Sequence, residues 1–297
     1  MHADILAALA CPDCRGRLLG DESGLACTRC GRRFEVERDV PRLLPSAGLD
    51  AEWEAKQELG QGEYNEAPAT AVARRFGRFV DVNGIVLDVG SGVEPRPAYL
   101  EPVEGRTYVG LDPLVGTARR DFDSVQGVAE RLPFGDETVD GAISATMLDH
   151  VPDPARVLDE IRRVLRPEGC LAVWIGVVDE RDLRANALGP LAMPGRRGLR
   201  QLVRRHGLAG LASQAFRHLV WNRARAAATT LRLRFARRGL VAKVYADRAR
   251  YHFSFFEAED VLELLRQTGF RVLATERIET PGEGTSLFVL AKPEAKR

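Results

Sequence analysis

The chain has 297 residues, of which 45% are hydrophobic and 29% charged, and its formal net charge is +1. That supplies a real core for one large domain, alone or with a small one, and it excludes a globally basic nucleic-acid binder while leaving room for local charge asymmetry. No stretch reaches the roughly 18 apolar residues that cross a bilayer, and Met1-His2-Ala3-Asp4 lacks a basic leader, so a cytoplasmic chain with reduced thiols is expected.

Residues 1–45 read as one small unit, rich in Cys, Gly, Arg and Pro and too short to bury much unaided. Its cysteines are spaced Cys11-x2-Cys14 and Cys27-x2-Cys30, with twelve residues between the pairs. Two such knuckles suit one tetrahedral zinc, each holding two thiolates at about 2.3 Å from the metal. Four cysteine ligands leave no position for a catalytic water, so this zinc is expected to be structural. The alternatives are two disulfides, which reduced surroundings disfavour, or a knuckle that has lost its metal. The stretch from Leu9-Ala-Cys-Pro-Asp-Cys to Cys27-Thr-Arg-Cys-Gly-Arg-Arg-Phe and on to Pro45 resembles the Trm112-like zinc-ribbon family. Members of that family are small activating or stabilising partners of methyltransferases, so the resemblance implies such a module fused in cis. Zinc ribbons also occur in nucleic-acid binders.

Residues 46–70 read as a connector with a candidate helix over 50–59. From residue 71 the pattern becomes alternating. A helix over 71–79 places Val72, Phe76 and Phe79 on one face, and short apolar strands are expected at 85–89, 107–111, 139–144 and 170–178. Between the last two lies a helix with Asp153 as N-cap and Pro154 at its first position; Val157, Leu158, Ile161, Val164 and Leu165 form its apolar stripe. Strands alternating with helices imply a mostly parallel sheet covered on both faces. Residues 183–246 then hold thirteen Arg and one Lys and no Asp or Glu, and read as a helical basic insert spanning about 183–250. A last helix over 257–268 and strands at 270–277 and 286–291 close the chain, the strands forming an antiparallel hairpin. The expected units are thus 1–45, 46–70, 71–182, 183–250 and 251–297, the third and fifth together making one α/β domain.

The first apolar strand ends in Asp88, followed by Gly90-Ser91-Gly92, a turn that lets backbone approach a ligand at the C-terminal edge of a sheet. A carboxylate at the end of the next strand, Asp112, can accept from both ribose hydroxyls. With Gly127-Val-Ala-Glu-Arg-Leu-Pro-Phe134, Val139–Ser144, His150-Val151 and Leu158-x-Glu160 through Gly169, this ordered set resembles the class I S-adenosylmethionine methyltransferase family, in its broad small-molecule branch. The resemblance covers about residues 80–178 and the closing hairpin, and implies a Rossmann-like sheet. It implies that Asp88, Gly90, Ser91 and Gly92 line the methionine part of S-adenosylmethionine, that Asp112 binds the ribose, that Ala129 and Glu130 lie beside the adenine, and that Ser144 and Ala145, just after the fourth strand, close the pocket near the sulfonium. Two departures stand out. Glu94 replaces the third glycine of the loop, with Pro95 and Pro97 behind it, so the following helix is expected to be short or displaced. Val128 replaces the acidic residue before the adenine contact.

Displacement at a sulfonium methyl needs an aligned acceptor, and a base only where the acceptor must lose a proton. His150 and His252 are the candidate bases; the alternatives are that His150 supports the following helix and that His252, within Tyr251-His-Phe-Ser-Phe-Phe256, belongs to a core cluster. Ser144-Ala-Thr-Met147 lacks the Pro-Pro-aromatic motif of base-amine methylation. The basic insert suits a phosphate group, an anionic membrane surface or RNA backbone, or a solvated face of the protein. The leading expectation is methylation of a small or lipid-linked, phosphate-bearing metabolite, with peripheral membrane attachment through 183–246. An RNA methyltransferase and a non-catalytic scaffold are the alternatives, and nothing calls for an obligate protein partner.

Overall fold

The computed structural model describes residues 1–21, 24–49, 70–100, 103–116, 119–177, 253–254, 256–280 and 284–294. The candidate helix over 50–59, the basic insert and His252 lie outside them.

The N-terminal unit consists of helix α1 (Ala3–Ala8), a three-stranded sheet of β1 (Leu18–Asp21), β2 (Gly24–Cys27) and β3 (Arg33–Phe34), and a small hairpin of β4 (Val36–Glu37) and β5 (Val40–Pro41). Arg38 and Asp39, both with positive φ, make the two-residue turn between β4 and β5, the mirror-type turn whose twist matches its strands.

The larger unit holds α2 (Thr70–Phe79), β6 (Gly84–Val89), β7 (Arg106–Asp112), β8 (Asp123–Gln126), β9 (Val139–Ala145), α3 (Pro154–Val164), β10 (Leu165–Val177), α4 (Ala258–Gln267), β11 (Phe270–Thr280) and β12 (Gly284–Pro293). Its seven-stranded sheet runs β8-β7-β6-β9-β10-β12-β11. The first five strands are parallel; β12 runs antiparallel to both β10 and β11. The parallel strands are apolar on both faces because both are covered. On one face α2 sets Phe76 against Phe288, Trp174 and Tyr99, with ring centroids 5.0, 5.6 and 5.8 Å apart. On the other, α3, α4 and the N-terminal unit share one cluster, in which Ile5, Leu25 and Leu43 join Leu111, Phe134, Ile161 and Leu265. Full burial of each such side chain is worth roughly 1.5–3 kcal/mol.

Helix α3 starts as the sequence requires. Asp153 accepts from the Arg156 amide at 3.0 Å, Pro154 follows, and Val157, Leu158, Ile161 and Val164 are buried. β10 begins at Leu165 rather than at 170, because Arg166–Gly169 bulges out of register and the strand resumes at Cys170. The hairpin strands are longer than their apolar cores suggest, and β8 has no counterpart among the expected strands. Among the described residues no helix follows the glycine loop, as Glu94 and the two prolines imply; 93–100 is irregular.

The N-terminal unit is stitched to the sheet edge. Leu43 donates its amide to the Gln126 carbonyl at 2.8 Å, and Arg42 lies parallel to Gln126 as a further strand position beside β8. The Ala10 amide donates to Pro133, and the Gly135 amide to Ala8, at 2.9 and 2.8 Å. Glu160 of α3, only 3% exposed, accepts from Arg15 (3.1 Å), Arg163 (2.7 Å) and the Leu132 amide (3.1 Å). No described helix is long and apolar enough to cross a membrane.

Candidate cofactor site and four-cysteine centre

The C-terminal ends of β6, β7 and β9 meet at one place. Gly90 and Ser91 both donate their amides to the Leu111 carbonyl, at 2.8 and 3.1 Å, which folds the loop over the end of β7. Gly90 has φ 79°, and a Cβ there would lie 2.3 Å from Met147 Cγ, so the turn accepts no side chain on either count. Gly92 (φ 69°) faces open space within 4 Å.

Asp88 is fully buried at the end of β6. Tyr99 donates to its Oδ2 at 2.7 Å, and Tyr108 donates to the same oxygen. Oδ1 is buried with no hydrogen-bond partner. Burial pushes this carboxyl up to about 6, against the pull of the two phenols. Asp112 ends β7. The Gly92 amide donates to its Oδ2 at 2.9 Å and the Leu114 amide to its Oδ1 at 2.8 Å, while burial raises its pKa. Each oxygen keeps a further lone pair for an incoming hydroxyl. Arg120 donates to Ser91 Oγ at 3.4 Å and to the Gly92 carbonyl, and its charge favours the ionised forms of Asp88 and Asp112.

The Gly127 amide donates to the Asp112 carbonyl at 3.2 Å and the Gln126 side chain to Pro113 at 2.9 Å, which draws the segment after β8 against the end of β7. Ala129 and Glu130 follow directly in a 3-10 turn, the first buried and the second half-buried. Ser144 and Ala145 are the last residues inside β9, not the first residues after it. The Ser144 hydroxyl is buried without a partner. Thr146 turns the chain in the left-handed region, φ 51°, a strained conformation for a β-branched residue and one that concentrates at functional sites. His150 closes the 3-10 turn Leu148–His150, half-buried, with Nε2 3.9 Å from Asp149 Oδ1. The Phe253 amide donates to the Asp149 carbonyl at 2.8 Å, so the chain returns to this turn after the insert. An open cleft of about 1400 Å³ borders the site through Leu114, Val115 and Arg120 and is walled on the far side by Arg38 and Asp39.

Sequence reasoning missed Tyr99, Tyr108 and Arg120. Tyr108 is the one with a signal: it stands on the strand before Asp112 with even spacing, and so on the same face. Tyr99 and Arg120 lie in irregular segments and reach the loop only through the fold.

The four cysteine sulfurs lie within 4.8 Å of one another. Cys11 and Cys30 are 3.8 Å apart and Cys14 and Cys27 3.4 Å, close to the roughly 3.8 Å edge of a tetrahedron with metal–sulfur bonds of about 2.3 Å. The amides of Arg29 and Cys30 point at Cys27 Sγ from 3.4 and 3.5 Å, donors that favour a thiolate. The spacing suits a cation held by four thiolates and leaves all five cysteines of the chain free of disulfides.

Residues 87–173 match the family described as a methyltransferase domain, and residues 2–39 match the Trm112p-like protein family. An uncharacterised methyltransferase of Mycolicibacterium vanbaalenii is 32% identical over 138 residues, which cover 41% of this chain and 51% of the relative. One from Mycobacterium leprae is 32% identical over 187 residues, 56% of this chain and 66% of the relative. The chain thus spans about half the length of the first curated relatives it matches. In three dimensions it is similar to the 1,6-didemethyltoxoflavin-N1-methyltransferase of Burkholderia thailandensis, solved with 1,6-didemethyltoxoflavin and S-adenosylhomocysteine; the TM-score is 0.51 at 18% identity, over 88% of this chain and 98% of that one. That likeness is one of fold: a mostly parallel, Rossmann-like sheet ending in antiparallel strands. The chain therefore carries a methyltransferase domain over residues 87–173 and a Trm112p-like domain over residues 2–39.

Proposed function

We propose that this protein transfers a methyl group from S-adenosylmethionine to a small or lipid-linked, phosphate-bearing acceptor. The observation that carries the reading is the pair of buried carboxylates, Asp88 and Asp112, at the C-terminal edge of adjacent parallel strands. Asp88 keeps an oxygen with no donor, and a glycine loop opens to free space beside it. A ligand with a cationic end and a vicinal diol fits that donor set. In this reading Asp88, Gly90, Ser91 and Gly92 hold the amino-acid end, Asp112 accepts from the ribose hydroxyls, Ala129 and Glu130 flank the base, and Ser144 and Ala145 line the reacting end. When bound, the cofactor supplies an electrophilic methyl for direct displacement. The chain's own residues align the acceptor and exclude water. His150 is the residue available to take a proton where the acceptor has one to lose, and His252 is a second candidate.

The acceptor class rests on composition. Fourteen positive charges without an acidic residue in 183–246 suit a phosphate group or an anionic lipid surface, as part of a lid over 183–250 between the 71–182 and 251–297 portions of the fold. The cysteine centre of the 1–45 module is assigned a structural zinc, the 46–70 stretch a connecting role, and the chain a cytoplasmic place at the membrane periphery.

Calorimetric titration with S-adenosylhomocysteine tests the cofactor, and an absence of binding at high micromolar ligand would overturn the methyltransferase reading. Flotation with anionic liposomes, repeated after deleting 196–240, tests the acceptor surface. Loss of flotation with the deletion is expected; unchanged flotation, or salt-sensitive retention of RNA in place of liposomes, would reject the lipid assignment.

A further inference from the structure

Asp88 is held in an unusual way. Two phenols from different segments, Tyr99 after the glycine loop and Tyr108 on β7, both give their protons to Oδ2, while Oδ1 receives none. An even sharing of donors would satisfy both oxygens. A buried, unpaired oxygen on a charged group costs about 1–3 kcal/mol or more, and both tyrosines whose rearrangement could relieve it are packed against other rings. Tyr99 stands edge-on to Phe76 and Trp174, with centroids at 5.8 and 6.4 Å, and Tyr108 edge-on to Phe122 at 5.0 Å.

We propose that Tyr99 and Tyr108 are positioning residues that fix the Asp88 carboxylate through Oδ2 and so reserve Oδ1 for a cationic donor, the α-ammonium group at the amino-acid end of the cofactor. The inference rests on the reading that this site takes S-adenosylmethionine.

It carries a consequence that a merely structural role would not. An ammonium group pairs with the ionised carboxylate. The groups facing Asp88 are Tyr99 from the segment after the loop, Tyr108 and Asp112 from β7, and Arg120 from the segment before β8. Burial raises the Asp88 carboxyl to about 6; Asp112 adds to the rise, and the phenols and Arg120 oppose it. Affinity for a ligand carrying the ammonium therefore falls roughly tenfold per unit as pH drops below that value. Removing a phenol leaves Oδ2 with one donor fewer and moves the break to higher pH.

The experiment compares two stable probes on the full chain by calorimetry, from about pH 5 to about pH 8. S-adenosylhomocysteine and 5′-methylthioadenosine share the adenosine contacts, including those of Asp112, and only the first has the amino-acid end, whose carboxylate stays ionised throughout this range. The ratio of their affinities isolates Asp88. In the wild type the ratio is expected to be level above about pH 7 and to fall about 5-fold between pH 6 and pH 5, approaching tenfold per unit in more acid solution. In Tyr108→Phe, and separately in Tyr99→Phe, the break is expected to shift upward by up to about one unit, costing at most about 2-fold in the ratio at pH 7, about 5-fold at pH 6, approaching tenfold at about pH 5, and nothing in alkali. The second variant serves where the first fails to fold. A wild-type ratio that is flat with pH, or a break unmoved in the variants that fold, overturns the positioning role while leaving the cofactor reading intact. Failure of the wild type to bind either probe overturns both.

Discussion

Replacing Asp88 by asparagine tests whether this position is kept at the expense of stability. The native carboxyl titrates at about 6, raised from 3.8 by burial. Below both values the group is neutral in the folded and unfolded chains and the burial costs nothing. As pH rises from about 4 to about 6 the unfolded chain gives up its proton first, and the native state loses stability until both are ionised. The full loss corresponds to about two pKa units, roughly 3 kcal/mol at neutral pH. The asparagine side chain does not titrate, and its carbonyl can still accept from Tyr99 and Tyr108. Its amide needs a partner that the wild type does not supply, a cost of about 1 kcal/mol that is the same at every pH, and by about pH 4.5 the wild type has already lost about 1 of its roughly 3 kcal/mol. Urea unfolding at about pH 4.5 and about pH 7.5 should therefore show the Asp88→Asn variant gaining on the wild type by roughly 2 kcal/mol across that interval, with a higher melting temperature at the alkaline end. The same variant should bind S-adenosylhomocysteine poorly. Parallel stability curves for the two proteins would mean that Asp88 is not held ionised in a dry site, and the argument from its burial would fail.

Three other outcomes follow from named contacts. Asp112→Ala removes the carboxylate proposed to hold the ribose and should weaken S-adenosylhomocysteine by roughly 100-fold, at about 1.5–3 kcal/mol for a hydrogen bond to a charged group; calorimetry giving an unaltered affinity would refute the ribose role. Glu160→Ala leaves the Leu132 amide without its acceptor and takes one carboxylate from Arg163, which keeps Asp136 and the Phe134 and Leu132 carbonyls, and should destabilise by about 1–3 kcal/mol, read by urea denaturation; no measurable loss would show that the cluster is solvated. Mass spectrometry under native conditions should find one zinc per chain, and chelation should lower the melting temperature of the whole protein rather than of a separate transition, because Cys11 and Cys27 share a cluster with the sheet.

The parts of the fold that were legible are those whose cause is local. The apolar run at 85–89, the Asp153-Pro154 start of α3 and the cysteine spacing each follow from neighbours in sequence. β8 was not legible because it is four residues long and carries Asp123 and Gln126 at its ends; it is a strand because β7 and the Arg42–Leu43 segment flank it. The Asp88 and Asp112 positions could be read, whereas the state of their carboxylates could not. That state depends on Tyr99, Arg120 and the Gly92 and Leu114 amides, none of which has a periodic signature. Likewise the contact between Arg15 and Glu160 joins positions 145 apart.

The N-terminal module and the glycine loop brace neighbouring parts of the fold: the loop folds onto the end of β7, and the module holds the segment after β8 that adjoins it. A four-residue edge strand is a weak element, and an open edge beside a ligand site is prone to fraying. Here the module pairs Leu43 with Gln126, grips Pro133 and Gly135 through Ala10 and Ala8, and reaches α3 through Arg15. Between those anchors lie Gly127, which donates to Asp112, and the turn Ala129–Arg131. The segment expected to flank the adenine is thus fixed on one side by the sheet and on the other by the module. The usual helix after the glycine loop is absent among the described residues, so that wall of the site rests on individual contacts, Tyr99 and Tyr108 on Asp88 and Arg120 on Ser91 and Gly92. A fused ribbon suits such a site. It stays at high effective concentration, and its covalent tether removes the translational entropy that a separate partner would lose on binding.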